Sequence, residues 1–331
     1  MVFKAIRRAL RKRAVRKEVA ALRRLTVGDI MTKYVITIKP EDDIIKAATK
    51  MIAEDISCLI VATEAKALGV LSERDFLRKV PLTSKVFEMK VKDIMTPNPV
   101  TVPRSMKLTD AVALMKSKGF RRLIVAEDDK MLGIITQTDF TRTLMKAFSA
   151  YPVANNLMLG SIMTEKVLMV TAKDSVAQAK QKMLKANVGA IIIVDKLKDP
   201  VPLGIFTEYD VVMQFYDQHG KLEMKDISQY MRKYVRAMPS SETIFEANRL
   251  MLQKNMRRLL IVDGSQKPDG TKDAKILGIV TQTDITRFVY SALDIIEKSL
   301  DDPKTELKAF SFSTEIHGEF WTDHLKVYDI E

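Results

Sequence analysis

The sequence predicts an α/β (α+β) fold built from four copies of one unit of about 65 residues. Two observations carry this. Four times a short apolar strand ends in glycine, with Ser or Thr three residues on and Asp three further. It reads GVLSERD from Gly69, GIITQTD from Gly133, GIFTEYD from Gly204 and GIVTQTD from Gly278. Upstream of each stands a second landmark: DIMT at Asp29, DIMT at Asp93, SIMT at Ser161 and a degraded DISQYM at Asp226. The glycines are 64, 71 and 74 residues apart, and the two landmarks keep their order each time.

Within each unit the hydrophobic period switches between strand and helix. In unit one, VITI (35–38) reads as a strand. DDIIKAATKMIAED (42–55) reads as an amphipathic helix, with Ile45, Ala48 and Ile52 at helical spacing. SCLIVA and ALGVLS form a hairpin-like pair, and ERDFLRKV starts a second helix. Unit two repeats the order with PVTV, MKLTDAVALMKSKG, RRLIVA, MLGIIT and TDFTRTLMKAF. Unit three gives VLMVT, SVAQAKQKMLKAN, AIIIVD, LGIFT and EYDVVMQFYD. Unit four gives VRAM, TIFEANRLMLQKN, RRLLIVD, ILGIVT and TDITRFVYSALDII, its hairpin loop swollen to the polar GSQKPDGTKDAK.

Units two and four share FRRLIV with MRRLLIV and ITQTDFTR with VTQTDITR, whereas units one and three carry SERD and TEYD. A duplicated pair accounts for this. Units one (26–82) and two (91–150) are expected to form one module over 26–150. Units three (157–218) and four (224–293) form a second over 157–293, joined through a linker near 149–157. There Pro152 and Asn155-Asn156 break the helix pattern. Residues 1–25 form an N-terminal arm and 294–331 a C-terminal extension.

The chain of 331 residues can bury two proper cores. No apolar run approaches the roughly 18 residues of a membrane span. The one cysteine, Cys58, excludes an internal disulfide and any CxxC site, and its place in SCLIVA suits an inert core thiol. Nothing suggests secretion, so a cytoplasmic protein is expected. There is no P-loop, GxGxxG or HExxH, and His219 stands alone in YDQHG, so the chain is not expected to be an enzyme. Nor is a metal expected: His317 and His324 in the extension are weak candidates.

A Ser or Thr followed three residues later by an acid is close to a capping box, and capping alone could explain all four motifs. A second role is compatible. A carboxylate at a helix start, beside a hydroxyl, can accept two hydrogen bonds from a ribose diol. The strand glycine allows close backbone approach, and the helix N-terminus favours phosphate.

The repeat resembles the cystathionine-β-synthase (CBS) domain, and residues 26 to 293 resemble a tandem of four. That family folds each unit as β-α-β-β-α, pairs units into Bateman modules, and binds adenosyl nucleotides between paired units. The resemblance implies AMP, ADP, ATP or S-adenosylmethionine as ligand, with no catalytic role. It implies ribose partners Ser72/Asp75, Thr136/Asp139, Thr207/Asp210 and Thr281/Asp284, with Thr101-Val102 and Val170-Thr171 flanking adenine. For phosphate, Arg121-Arg122 and Arg257-Arg258 precede a central strand, which would turn one Arg of each pair to each face. Arg74 is a further candidate. Unit three has no such Arg, so its cleft would draw charge from a neighbour.

Net charge is +12, unevenly spread. The arm carries Lys4, Arg7, Arg8, Arg11, Lys12, Arg13, Arg16, Lys17, Arg23 and Arg24 against Glu18 alone, a net +9. The extension carries ten acids and four lysines, a net −6. Phe3, Ile6, Leu10, Ala14, Val15, Val19 and Leu22 fall near one helical stripe of the arm. A packed helix, a transit peptide and a membrane-surface anchor are alternatives, but the charge density favours nucleic acid. With no DNA-reading element, structured RNA is the expected partner, rRNA or a ribosomal subunit foremost. AFSFSTEIHGEFW in the extension reads as a strand or hairpin that packs on the second module or docks a protein. Two functions follow. One is a sensor of adenine nucleotides that binds a ribosomal subunit and damps translation by energy state. The other is a nucleotide-sensing regulatory subunit of an enzyme or transporter, docked through tail or arm. The oligomeric state is open, a homodimer included.

Overall fold

A computed structural model describes Ala21 and residues 24–64, 66–81, 84–148, 157–217, 226–263 and 275–301. Each unit is a short strand, a helix, two antiparallel strands and a second helix. In unit one the strand Thr37–Ile38 runs parallel to Cys58–Thr63, which pairs antiparallel with Lys66–Ser72. The helices are Ile44–Ala53 and Glu73–Lys79. Unit two has strands Thr101–Val102, Arg122–Glu127 and Lys130–Thr136 with helices Leu108–Lys118 and Gln137–Phe148. Unit three has Met169–Thr171, Ala190–Val194 and Pro202–Thr207 with helices Val176–Lys185 and Glu208–Asp217. Unit four has Ala237–Pro239, Arg258–Val262 and Ile276–Thr281 with helices Ile244–Gln253 and Gln282–Asp301.

Local chemistry starts the first helices. The Asp43 carboxylate accepts from the Lys46 amide at 2.6 Å, and the Thr243 hydroxyl from the Glu246 amide at 3.1 Å. Each first helix buries residues at i, i+3, i+4 and i+7: Ile44, Ala47, Ala48 and Met51 in unit one. This stripe lies one residue before the one expected, and Ile45 and Ile52 are only half-buried. Helical spacing fits either set, and the core takes the one facing the strand Cys58–Thr63. The first strands are also shorter than VITI and PVTV, because each meets its parallel partner over two residues.

The upstream landmarks do not pack on their own units. The amide and carbonyl of Thr32 exchange hydrogen bonds with Ile134 in unit two, at 2.9 and 3.0 Å. Thr96 and Pro97 add a fourth strand to the sheet of unit one. Thr164 pairs with Ile279 in unit four, and Arg232 with Ile205 in unit three. Paired units therefore exchange their landmarks, which ties each module together by backbone hydrogen bonds.

The four units close a ring in the order one, two, four, three. Units one and two meet sheet to sheet around Ile60, Ile124 and Ile134. Units three and four meet around Ile192, Val194, Ala237, Leu260 and Val262. Between modules the contact is helical. Units one and three share a core in which the Phe76 and Phe215 rings lie 5.5 Å apart, and units two and four share one containing Phe140, Ile285 and Phe288. A fully buried side chain of this size contributes about 1.5–3 kcal/mol. The helical seams are continuous with the cores of the units they join, whereas the sheet seams form separate, smaller clusters. The arm before Ala21, the linker 149–156 and the extension beyond Asp301 lie outside the described residues, as does most of the unit-four loop.

Candidate functional site

The four Ser/Thr–Asp pairs have one geometry. In each, the backbone amide and hydroxyl of the Ser or Thr both donate to one oxygen, Oδ2, of the Asp three residues on. The distances are 2.8 and 2.7 Å for Ser72–Asp75, and 2.9 and 2.7 Å for Thr136–Asp139. They are 2.7 and 2.7 Å for Thr207–Asp210, and 2.8 and 2.6 Å for Thr281–Asp284. Each pair caps the second helix of its unit, which leaves Oδ1 to face elsewhere.

What Oδ1 meets differs. Asp75 Oδ1 accepts from the Thr96 hydroxyl at 3.2 Å and lies 3.2 Å from Lys79 Nζ. Asp139 Oδ1 lies 3.3 Å from Arg142 Nη1. Asp210 Oδ1 lies 3.2 Å from Arg232 Nε, and Arg232 Nη2 donates to the Thr207 hydroxyl at 3.0 Å. Burial pushes the Asp210 carboxyl above the usual range despite Arg232, and burial does the same to Asp284.

The strand glycines serve the landmarks rather than a nucleotide. A Cβ on Gly133 would lie 2.7 Å from the Thr32 carbonyl oxygen and 2.9 Å from Met31 Sδ. Met95, Met231 and Met163 take the same place over Gly69, Gly204 and Gly278. The close approach expected of a ligand is made by the methionine and backbone of the exchanged landmark.

The residues between Ser/Thr and Asp face the ring centre. In units two and four they make reciprocal bonds. The Thr138 hydroxyl donates to Gln282 Oε1 and the Thr283 hydroxyl to Gln137 Oε1, both at 2.9 Å. In units one and three the same positions hold buried acids. Glu208 accepts from Arg74 Nε at 2.6 Å and lies 3.5 Å from Arg121 Nη2. Glu73 accepts from Arg257 Nη2 at 2.6 and 2.8 Å. Burial pushes the Glu208 carboxyl up, but Arg121, Arg74 and Arg258 outweigh it and hold it at about 2. Burial opposes the Arg257 charge, and Glu73 more than restores it. Arg121 and Arg258 are each pushed down to about 10 by burial, and neighbouring arginines add to that. Arg122 reaches across to the Ser57 hydroxyl at 3.4 Å.

Four arginines thus converge with two carboxylates, and Arg122 lies beside Arg121. One Arg of each pair was expected to face away, but Arg121 and Arg257 precede their strands, so strand alternation does not set their direction. Unit three draws its charge from neighbours, from Arg121 and from Arg232. Sequence reasoning missed Arg232, Glu73 and Glu208. Arg232 had a visible signal, since it stands where the other landmarks have Thr.

The adenine-side candidates divide. Thr101 is exposed and lies level with Ile124, which pairs with Ile134, two residues along the ladder from Thr136. That is roughly 7 Å. Thr101 and Val102 line a cavity of about 550 Å3 with Lys66, Met131 and the acidic turn Glu127, Asp128 and Asp129, but the Thr136–Asp139 pair is not in its wall. The Val102 and Val170 side chains are buried among the helices. Alternation puts Met169 at the sheet seam instead. The Thr171 hydroxyl is tied to Asp174 at 2.8 Å.

This architecture is that of tandem CBS proteins. The CBS domain family model matches residues 27–82, 91–153, 159–217 and 225–291, and the chain belongs to that family. Its sequence is 30% identical over 201 residues to the uncharacterised protein MJ1225 of Methanocaldococcus jannaschii, covering 57% of this chain and 69% of that one. To the uncharacterised MK0525 of Methanopyrus kandleri it is 34% identical over 121 residues, 36% of this chain and 62% of the relative. The crystal structure of MJ1225, described as a proposed archaeal homologue of g-AMPK, superposes with a TM-score of 0.68 at 18% identity. That match covers 80% of this chain and 99% of that one, and shows a common fold.

Proposed function

We propose that this chain is a regulatory protein that senses adenine nucleotides. The ribose diol binds at the free face of a Ser/Thr–Asp pair, and the phosphates run to the arginine centre. One observation carries the reading: four hydroxyl–carboxylate pairs of one geometry surround a centre where Arg74, Arg121, Arg257 and Arg258, with Arg122 beside them, face two carboxylates among the described residues, Glu73 and Glu208. An excess of half-buried cations favours an anionic ligand. The unit-two cleft has Thr136–Asp139 and Arg121 in place; the neighbouring cavity at Thr101 is also lined by Glu127, Asp128 and Asp129, so it would not take the phosphates. The nucleotide's effect on partners is a change in how the four units sit in the ring, limited to its differential affinity for the two arrangements. Calorimetry with AMP, ADP, ATP and S-adenosylmethionine tests this. Asp139→Asn keeps a neutral acceptor for the cap and should remove one site. Absence of heat with all four ligands overturns the reading.

A second reading concerns the arm. Its net +9 within 25 residues favours a polyanion, with structured RNA, and rRNA first, as the partner. Binding of ribosomal subunits at low salt should fall steeply with added salt and disappear on deletion of residues 1–25. Retention after the deletion would remove this part and leave nucleotide sensing untouched.

A further inference from the structure

We propose that the unit-three cleft is occupied by the protein itself: Arg232 holds the place a ribose diol would take at Thr207–Asp210, so the ring offers three adenosine sites rather than four. This rests on the proposed role of the Ser/Thr–Asp pairs and specifies which of them are open.

The argument starts from the exchanged landmarks. Thr32, Thr96, Thr164 and Arg232 sit at the same register on the partner unit, each beside the residue that follows the strand glycine. Thr32, Thr164 and Arg232 are each pinned by two backbone hydrogen bonds of 2.9–3.0 Å. The backbone therefore delivers whatever side chain stands there into the cleft. In three units that side chain is a threonine. Thr96 shows its reach, donating to Asp75 Oδ1 at 3.2 Å. In unit three it is an arginine, and the longer side chain does more. Its Nε lies 3.2 Å from Asp210 Oδ1, its Nη2 donates to the Thr207 hydroxyl, and its guanidinium stands 5.8 Å from the Tyr209 ring centre. Tyr209 occupies the position held by Arg74, Thr138 and Thr283 in the other motifs.

A ribose diol needs Asp Oδ1 as acceptor, because Oδ2 is already committed to the cap. At Asp210 that oxygen is committed too, to a cation on a carboxylate only 6% exposed. A nucleotide entering here must break a charge-assisted pair and leave Arg232 without its acceptors. Asp75 and Asp139 also carry a cation at Oδ1, Lys79 and Arg142 of their own helices, but among the described residues Arg232 alone bridges both the carboxylate and the hydroxyl of a pair, and it comes from the neighbouring unit.

Nucleotide stoichiometry tests this. ADP is titrated calorimetrically into the full chain, into Arg232→Thr and into Arg232→Thr/Asp210→Asn. Arg232→Thr should bind one more ADP than the natural chain, and adding Asp210→Asn should take that one away. In the natural chain Asp210→Asn alone should leave the stoichiometry unchanged. Arg232→Gln, long but uncharged, serves if the threonine variant folds poorly, and should also gain the site. If Asp210→Asn alone removes a site, or neither Arg232 variant gains one while the natural chain binds ADP, the plug is refuted and the other clefts stand. If none of the chains binds ADP, adenosine recognition falls and the plug falls with it.

Discussion

The glycine in each strand motif should act as a lock between units, and Gly133→Ala measures it. The added Cβ would meet the Thr32 carbonyl oxygen at 2.7 Å and Met31 Sδ at 2.9 Å, against about 3.4 Å for ordinary contact. Met31 is flexible and can swing away. The Thr32 carbonyl cannot, because it accepts from the Ile134 amide at 3.0 Å while its own amide donates back at 2.9 Å. Moving it several tenths of an ångström overpacks the seam, at about 1–3 kcal/mol. Releasing the landmark instead forfeits two hydrogen bonds, about 1 kcal/mol each. Against this, replacing glycine restricts the unfolded chain by about 0.4–1 kcal/mol in the variant's favour. The net is about 1.3 kcal/mol of destabilisation, or roughly 3–5 °C in Tm at the 2–4 °C per kcal/mol of a cooperative unit above 150 residues. Scanning calorimetry of Gly133→Ala, Met31→Ala and the double variant is the assay. The double variant should recover only the part due to sulfur. Gly119→Ala is the control, since its cost comes from a φ of +67° with nothing within 4 Å, and should not depend on Met31. A Gly133→Ala melting point within about 1 °C of the natural chain refutes the lock.

Three further outcomes are expected. Glu208→Gln leaves Arg74 and Arg121 without their counter-ion, so the ligand-free protein should melt lower. If the centre takes phosphates, ADP should bind on the order of tenfold more tightly; weaker ADP binding contradicts a phosphate-facing centre. Burial pushes the Lys180 ammonium, which donates to the Val80 carbonyl, down to about 8. Because the unfolded chain then binds more protons between about 8 and 10.5, this group makes stability rise with pH across that window, and its penalty is complete below it. Lys180→Met should flatten that rise in denaturant midpoints at pH 7.5 and 9.5, and an unchanged slope refutes the assignment. Thr138→Val removes one of two reciprocal bonds between units two and four and should cost about 1 kcal/mol in chemical denaturation, with no cost if Gln282 finds another donor.

The order of elements was legible because each strand and helix carries its own period, and the Ser/Thr–Asp caps because the partners are three residues apart. The landmark exchange was not legible. DIMT reads the same whether it packs on its own unit or the next, and only the crowded space over Gly69 and Gly133 decides. The stripe of the first helix was misplaced by one residue because Ile44 and Ile45 are equally apolar. Glu73 and Glu208 read as ordinary acids of a first helical turn. Their burial follows from closing the ring, which brings Arg257 and Arg74 to them from units four and one. Arg232 was the one site residue whose sequence signal, an Arg in place of a landmark Thr, was present and passed over.

The account stands most directly on where a nucleotide lies in the ring. A crystal structure with ADP should show ribose hydroxyls on Asp139 Oδ1, phosphates directed at Arg121 and its neighbours, and Arg232 still seated on Asp210. ADP bound away from every Ser/Thr–Asp pair, or with its phosphates turned outward from the arginines, would contradict it.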